Sequence, residues 1–144
     1  MKKKVNTSGD TSQALSTSVT KTEDRIQSDF IQGLWNDYPR TRGLCYHIPN
    51  GGLRTQREAV TLRAMGVVAG IPDIHLAIAA CGYNSLYIEF KTSTARMNTD
   101  HVKQQEKIHE ALRSAGHLVH VCTSTEQAHD LVMKYLYNTY WIAE

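Results

Sequence analysis

Residues 85–91 read SLYIEFK, and the alternation within them decides how the chain is laid out. Leu86, Ile88 and Phe90 fall on one side of an extended segment and Tyr87, Glu89 and Lys91 on the other, because successive strand side chains point to opposite faces. One side asks for a core, while the other ends in a carboxylate and an ammonium two residues apart. DIHLAI at 73–78 repeats the pattern, with Ile74, Leu76 and Ile78 on one face and Asp73 and His75 on the other. The intervening AACGYN, with its Gly and Asn, has the makings of a tight hairpin connection. An antiparallel pairing centred on Cys81 sets Asp73 opposite Glu89, on the side of Lys91, with cross-strand Cβ atoms about 4.5–5.5 Å apart. Two carboxylates so close repel unless a cation joins them. A hard divalent ion such as Mg²⁺ suits such a pair, and a neighbouring ammonium adds charge for a developing oxyanion. Solvated strand-end charges are the plain alternative, and spacing leaves both open.

Outward from this hairpin the periodicity changes. Ile26, Phe30 and Leu34, widened by Ile31 and Trp35, mark an amphipathic helix from about residue 20 that Pro39 closes. GLCYHI (43–48) alternates like a strand and runs into the turn PNGG. TQREAVTLRAMG (55–66) reads as a helix stopped by Gly66. A polar loop after Lys91 leads to a helix over about 100–115, with an apolar stripe at Val102, Ile108, Leu112 and Ala115. HLVHVC (117–122) is a strand, and 124–141 a final helix opened by a Ser124/Gln127 capping box. The order helix, strand, helix, strand, strand, helix, strand, helix implies an α/β sandwich around a mixed four-stranded sheet. Residues 1–20, rich in Ser, Thr and Lys with few large apolar groups, read as a flexible tail, leaving 21–144 as one domain.

The bulk numbers bound the function classes. A chain of 144 residues is one domain with room for a core. No apolar run approaches the roughly 18 residues of a membrane span, and the start has no apolar leader, so the expected location is the cytoplasm of a bacterium or phage-infected host. Cys45, Cys81 and Cys122 form no C-x-x-C pair and read as reduced thiols. A net charge of +2 permits a nucleic-acid partner without demanding one. Of the histidines, His117 and His120 fall on opposite strand faces and His101 and His109 on different helical turns; without an H-E-x-x-H no zinc chemistry is assigned.

Pro72-Asp73 followed by Glu89-Phe90-Lys91 resembles the PD-(D/E)XK nuclease signature. TEDRIQ (22–27), HIPNGG (47–52), LRAMGVVAGIPDIHL (62–76), LYIEFK (86–91) and KQQEKIHEALRSAGHLVHVCTSTEQA (103–128) resemble VRR-NUC (virus-type replication-repair nuclease) domains in their order, particularly the small stand-alone versions carried by phages. The likeness runs over about 22–136. It implies a restriction-endonuclease-like αβαββαβα core and a Mg²⁺- or Mn²⁺-dependent, structure-specific DNA endonuclease, including resolvers of four-way (Holliday) junctions. A non-catalytic nucleic-acid-binding module with the same fold is the alternative, and an RNA-processing nuclease a third reading. By the resemblance, Asp73 and Glu89 hold the metal, Phe90 offers its backbone carbonyl, and Lys91 positions the attacking water and stabilises transition-state charge.

Glu23 matches the first-helix glutamate that completes or water-bridges the metal shell. Thr20 and Glu23 also have capping-box spacing, which competes for the same carboxylate. Gln105 matches the helix glutamine, with Gln104 adjacent; the family serine shortly before it is Val102 here. His47 is expected to line the acid face, and Asn50, Gly51 and Gly52 to bring backbone amides close to a phosphate. Gly70 admits the same reading or a plain turn. Arg54, Arg57, Arg96 and Lys103 are the expected phosphate contacts. Paired cuts in branched DNA would suit a homodimer, with Tyr137, Tyr140 and Trp141 as a candidate surface.

Overall fold

The computed structural model describes residues 22–49, 55–92 and 100–138; the expected tail over 1–20 lies outside them, as do Asn50, Gly51, Gly52, Arg54, Arg96, Tyr140 and Trp141. Along the described residues run α1 (Glu23–Asp37), a 3-10 turn (Pro39–Thr41), β1 (Cys45–His47), α2 (Gln56–Ala64), β2 (Ile74–Leu76), β3 (Leu86–Phe90), α3 (Asp100–Ser114), β4 (Leu118–Cys122) and α4 (Thr125–Leu136). This is the expected αβαββαβα order. The strands form one mixed sheet in the order β1-β2-β3-β4, antiparallel except for the parallel pair β3 and β4 that α3 connects.

The apolar side of SLYIEFK faces α1 and α4. Ile26, Phe30 and Leu34 of α1 and Ala128, Leu131, Val132 and Tyr135 of α4 enclose Ile74, Leu76, Leu86, Ile88, Phe90 and Cys122. The Phe30 and Phe90 rings meet tilted at 5.7 Å, and burying each such side chain stabilises the fold by about 1.5–3 kcal/mol. Trp35 Nε1 donates to the Cys45 carbonyl at 3.0 Å, fixing α1 to the edge strand β1.

Helix α1 begins two residues later than the Thr20 reading placed its cap. Thr22 is the N-cap, its side chain accepting from the Arg25 amide, and Glu23 is the first helical residue. That frees the Glu23 carboxylate from capping. At α4, Ser124 accepts from the Gln127 amide as expected, but the Gln127 side chain reaches back to the amide of Thr123 instead of Ser124. Helix α4 stops at Leu136, short of the expected Trp141, where Asn138 turns left-handed at φ 56°.

Helix α3 departs most from its sequence pattern. Its fully buried residues are Gln105 and His109, while Val102, Ile108 and Leu112 are half-buried and Ala115 exposed. The helix thus lies over the second face of the sheet with polar residues at the centre of its contact, and apolar periodicity alone misplaces that centre.

The β2–β3 hairpin keeps the expected register: Ile74 pairs with Ile88, His75 with Tyr87 and Leu76 with Leu86. Cys81 and Gly82, both at positive φ (50° and 78°), form the two-residue turn closed by Ala80 and Tyr83. Between ladder and turn, Ala77, Ile78 and Ala79 oppose only Asn84 and Ser85, so one extra residue bulges on the β2 arm. Helix α4 satisfies that arm: Tyr135 Oη donates to the Ile78 carbonyl at 2.7 Å and accepts from the Ala80 amide at 3.2 Å. Asn138 Oδ1 accepts from the Cys81 amide at 2.9 Å.

Replacing Tyr135 with Phe keeps the buried ring but takes the donor from the Ile78 carbonyl, while the Ala80 amide keeps its second acceptor, the Tyr83 carbonyl at 3.2 Å. The expected result is a loss of about 1–3 kcal/mol in denaturant unfolding with an unchanged m-value.

Candidate active site

β2 begins at Ile74, just after Pro72, which has no N–H to donate to the ladder. One residue before β2, Asp73 stands opposite Glu89 in the continued register. The Asp73 side chain carries the contact between the strands one step past the ladder: Oδ2 accepts from the Phe90 amide at 2.8 Å. On its other flank, the Asp73 carbonyl accepts from the Ile48 amide at 2.7 Å and lies 2.9 Å from His47 Nδ1. The carboxylate is therefore held between three strands by the backbone around it.

Glu89 is 2% exposed. Its Oε1 accepts from both Lys91 Nζ and, at 2.7 Å, Gln105 Nε2. Its Oε2 is buried with no partner. Of the two adjacent glutamines, Gln105 is the one that reaches the acid; Gln104 is exposed. Gly70, at φ 90°, brings the preceding loop against α3: a Cβ there would lie 3.1 Å from Gln105 Cα. Its glycine is explained by this close packing and its backbone conformation. Glu23 reaches the same end of the sheet, its Oε1 accepting from the Thr92 amide at 3.0 Å.

The charges are costly in this setting. Burial, first, and the negative charge of Glu89, second, push the Asp73 carboxyl up from 3.8 to about 6, against the Phe90 amide, Lys91 and His47, which favour its ionised form. Among the described residues no three His, Cys, Asp or Glu side chains group into a metal cluster. The donors present are two carboxylates and the carbonyls near them. That set fits a hard, mostly hydrated divalent ion better than a caged one, and the unpartnered Glu89 Oε2 beside a carboxyl that resists ionisation is what such an ion would relieve.

His47 does not line the acid face. It pairs with Ile74, whose side chain belongs to the core face, so Tyr46, paired with His75, takes the acid side. Arg57 is exposed in the first turn of α2, and Lys103 is exposed with Nζ 3.6 Å from Asp100. Sequence reading gave His109 no role. It is 3% exposed, both ring nitrogens are buried without hydrogen bonds, and burial above all lowers its pKa. Its spacing of four from Gln105 on one helix face was the available signal.

With the geometry in place, comparison supplies the fold. The structure superimposes on a solved VRR_NUC domain protein with a TM-score of 0.65 and 24% sequence identity, covering 81% of this chain and 89% of that one. This chain therefore shares the VRR_NUC fold, as its motifs anticipated. No protein-family model and no curated protein matches the sequence. Among the described residues no helix is long and apolar enough to cross a membrane.

The raised Asp73 pKa sets a sign. Its favourable contribution to the metal-free fold is complete below the unfolded value near 3.8 and is lost as pH rises through about 6. At pH 8 without divalent ions, Asp73→Asn is expected to raise stability by on the order of 1–3 kcal/mol in thermal or urea unfolding, with the gain shrinking toward pH 4.

Proposed function

We propose that the protein is a metal-dependent, structure-specific DNA endonuclease. The observation that carries this reading is the row formed by Asp73, Glu89 and Lys91 at one end of the sheet, with one buried Glu89 oxygen unpartnered. The shared VRR_NUC fold supports it.

Mg²⁺ or Mn²⁺ would be held by the Asp73 and Glu89 carboxylates and the Phe90 carbonyl, where it would supply Lewis-acid polarisation of a phosphoryl oxygen and lower the pKa of water. The chain's own groups do the rest. The Phe90 amide fixes one Asp73 oxygen, leaving the other to face the site. Gln105 fixes Glu89 from above. Lys91, 22% exposed and bound to Glu89, sits where its ammonium can orient a water and offset charge building on the phosphate oxygens. Glu23, tied to the Thr92 amide, steadies the segment just past Lys91 and would complete the shell directly or through a water.

Branched DNA, with four-way junctions first, is the proposed substrate, and two symmetric cuts the reason to propose a homodimer. Arg57 and Lys103, with Arg54, Arg96, Asn50, Gly51 and Gly52 outside the described residues, are the proposed backbone contacts.

The test is cleavage of labelled four-way junction, splayed, single-stranded and linear DNA, and matching RNA, with Mg²⁺, Mn²⁺ or EDTA. Metal-dependent DNA cleavage is expected. It should fall at least about 100-fold in Asp73→Ala, Glu89→Ala and Lys91→Ala, and about tenfold in Gln105→Ala. Tight DNA binding without cleavage in any metal would make the protein a non-catalytic binding module.

A further inference from the structure

Beside the acids, on the same face of the sheet, runs a row of rings that the cleavage chemistry does not use. Tyr46 of β1, His75 of β2 and Tyr87 of β3 are direct cross-strand partners, and His117, just before β4, continues the line. His75 stacks on Tyr87 at 4.3 Å and 11°, while Tyr46 meets His75 edge-on at 5.3 Å and 85°. His117 meets Tyr87 edge-on at 5.5 Å, and its Nδ1 lies 2.7 Å from Ser85 Oγ. The Tyr46 hydroxyl lies 2.8 Å from His75 Nδ1, which fixes the tilt of the tyrosine ring. His75, Tyr87 and His117 are half-buried; Tyr46, on the edge strand, is 40% exposed.

We propose that Tyr46 is a stacking seat for one unpaired nucleobase beside the cleaved phosphate, held rigid by the ring row behind it. This rests on the nuclease reading above and names the substrate feature the site selects. The register supports the position: Asp73 is the diagonal neighbour of Tyr46, two residues along β2 from its partner His75, at about 7–8 Å between backbones. That span suits a phosphate at the acids and a base of the same strand at Tyr46. The chemistry supports the occupant. An exposed aromatic ring already fixed in orientation binds a base face with little further loss of freedom. A paired base inside a duplex presents no face to it. The seat therefore favours DNA with unpaired nucleotides flanking the cut, such as branch points, flaps or gaps.

The experiment uses the full chain in EDTA, so that binding is separated from cleavage. Three DNAs of one sequence are compared by anisotropy: single-stranded, a duplex with a short unpaired gap, and a fully paired duplex. 2-Aminopurine in the gap reports stacking. Tyr46→Ala and Tyr46→Leu are expected to weaken binding to the first two about tenfold and abolish the 2-aminopurine quench, leaving paired duplex within about twofold. Tyr46→Phe, which keeps the ring and loses the His75 contact, should stay within about threefold of the parent on all three. The leucine variant keeps apolar bulk on a strand, and circular dichroism with unfolding midpoints confirms the fold of each.

Equal weakening on all three DNAs, or none on any, overturns the proposal. Cleavage by the parent protein in Mg²⁺, with Tyr46→Leu indistinguishable from it, would leave the nuclease standing and the stacking seat refuted. Tyr46-dependent binding of unpaired DNA with no cleavage in any metal would keep the seat and refute the nuclease.

Discussion

The hydrogen bond from the Phe90 amide to the Asp73 carboxylate is the joint on which both the sheet and the site depend. The β2–β3 ladder ends at Ile74 and Ile88, so the Phe90 amide lies beyond it and takes its acceptor from the Asp73 side chain. Because that acceptor is a carboxylate, the contact places negative charge opposite Glu89, where neither group is well solvated. The molecule accepts at this spot an Asp73 carboxyl that burial and the nearby Glu89 make reluctant to ionise. Such local cost beside an otherwise ordinary core is how functional sites are commonly recognised in stable folds.

The two faces of the sheet are built on different principles. Beneath lies a tightly packed apolar layer to which α1 and α4 contribute seven buried side chains. Above, α3 is seated on Gln105 and His109, and only half-buried apolar groups flank them. The buried side-chain polar atoms without partners among the described residues are His75 Nε2, Glu89 Oε2 and the two His109 ring nitrogens. His75 and Glu89 rise from this upper face, and His109 comes down to it from α3. Unmet hydrogen-bonding capacity is thus confined to the layer that carries the acids, while the layer beneath carries stability. A helix anchored in this way is held by polar geometry more than by apolar area.

Much of this was readable before the fold was known, for definite reasons. Strict alternation in DIHLAI and SLYIEFK, with the turn centred near Cys81, was enough to put Asp73 opposite Glu89. A one-residue slip would put the two apolar sets on opposite faces, and the position of the turn selects among the registers that remain. Other features were hidden because they depend on partners from elsewhere in the chain. The face taken by His47 follows from its pairing with Ile74, which a three-residue edge strand cannot announce. Gln105 and His109 look solvated in a helix whose obvious apolar stripe lies to one side, because their burial comes from the sheet beneath. The Thr92 partner of Glu23 was likewise invisible: a capping box is a local pattern, whereas the actual partner lies just past the far end of β3.

The bulge in the β2 arm has a consequence for how this chain can change. Three residues there answer two on the opposite arm, and Tyr135 and Asn138 hold that mismatch in place from the other side of the sheet. The offset sets the phase of everything that follows the turn. Loss of one residue from this arm, if not absorbed locally, would rotate β3 by half a period, turning Glu89 toward Phe30 and Phe90 toward α3. Loss of two would restore the faces but slide Asp73 past its partner. The segment from 77 to 85 therefore tolerates changes of residue far better than changes of length, and α4, which touches neither acid, serves as the gauge that keeps the count.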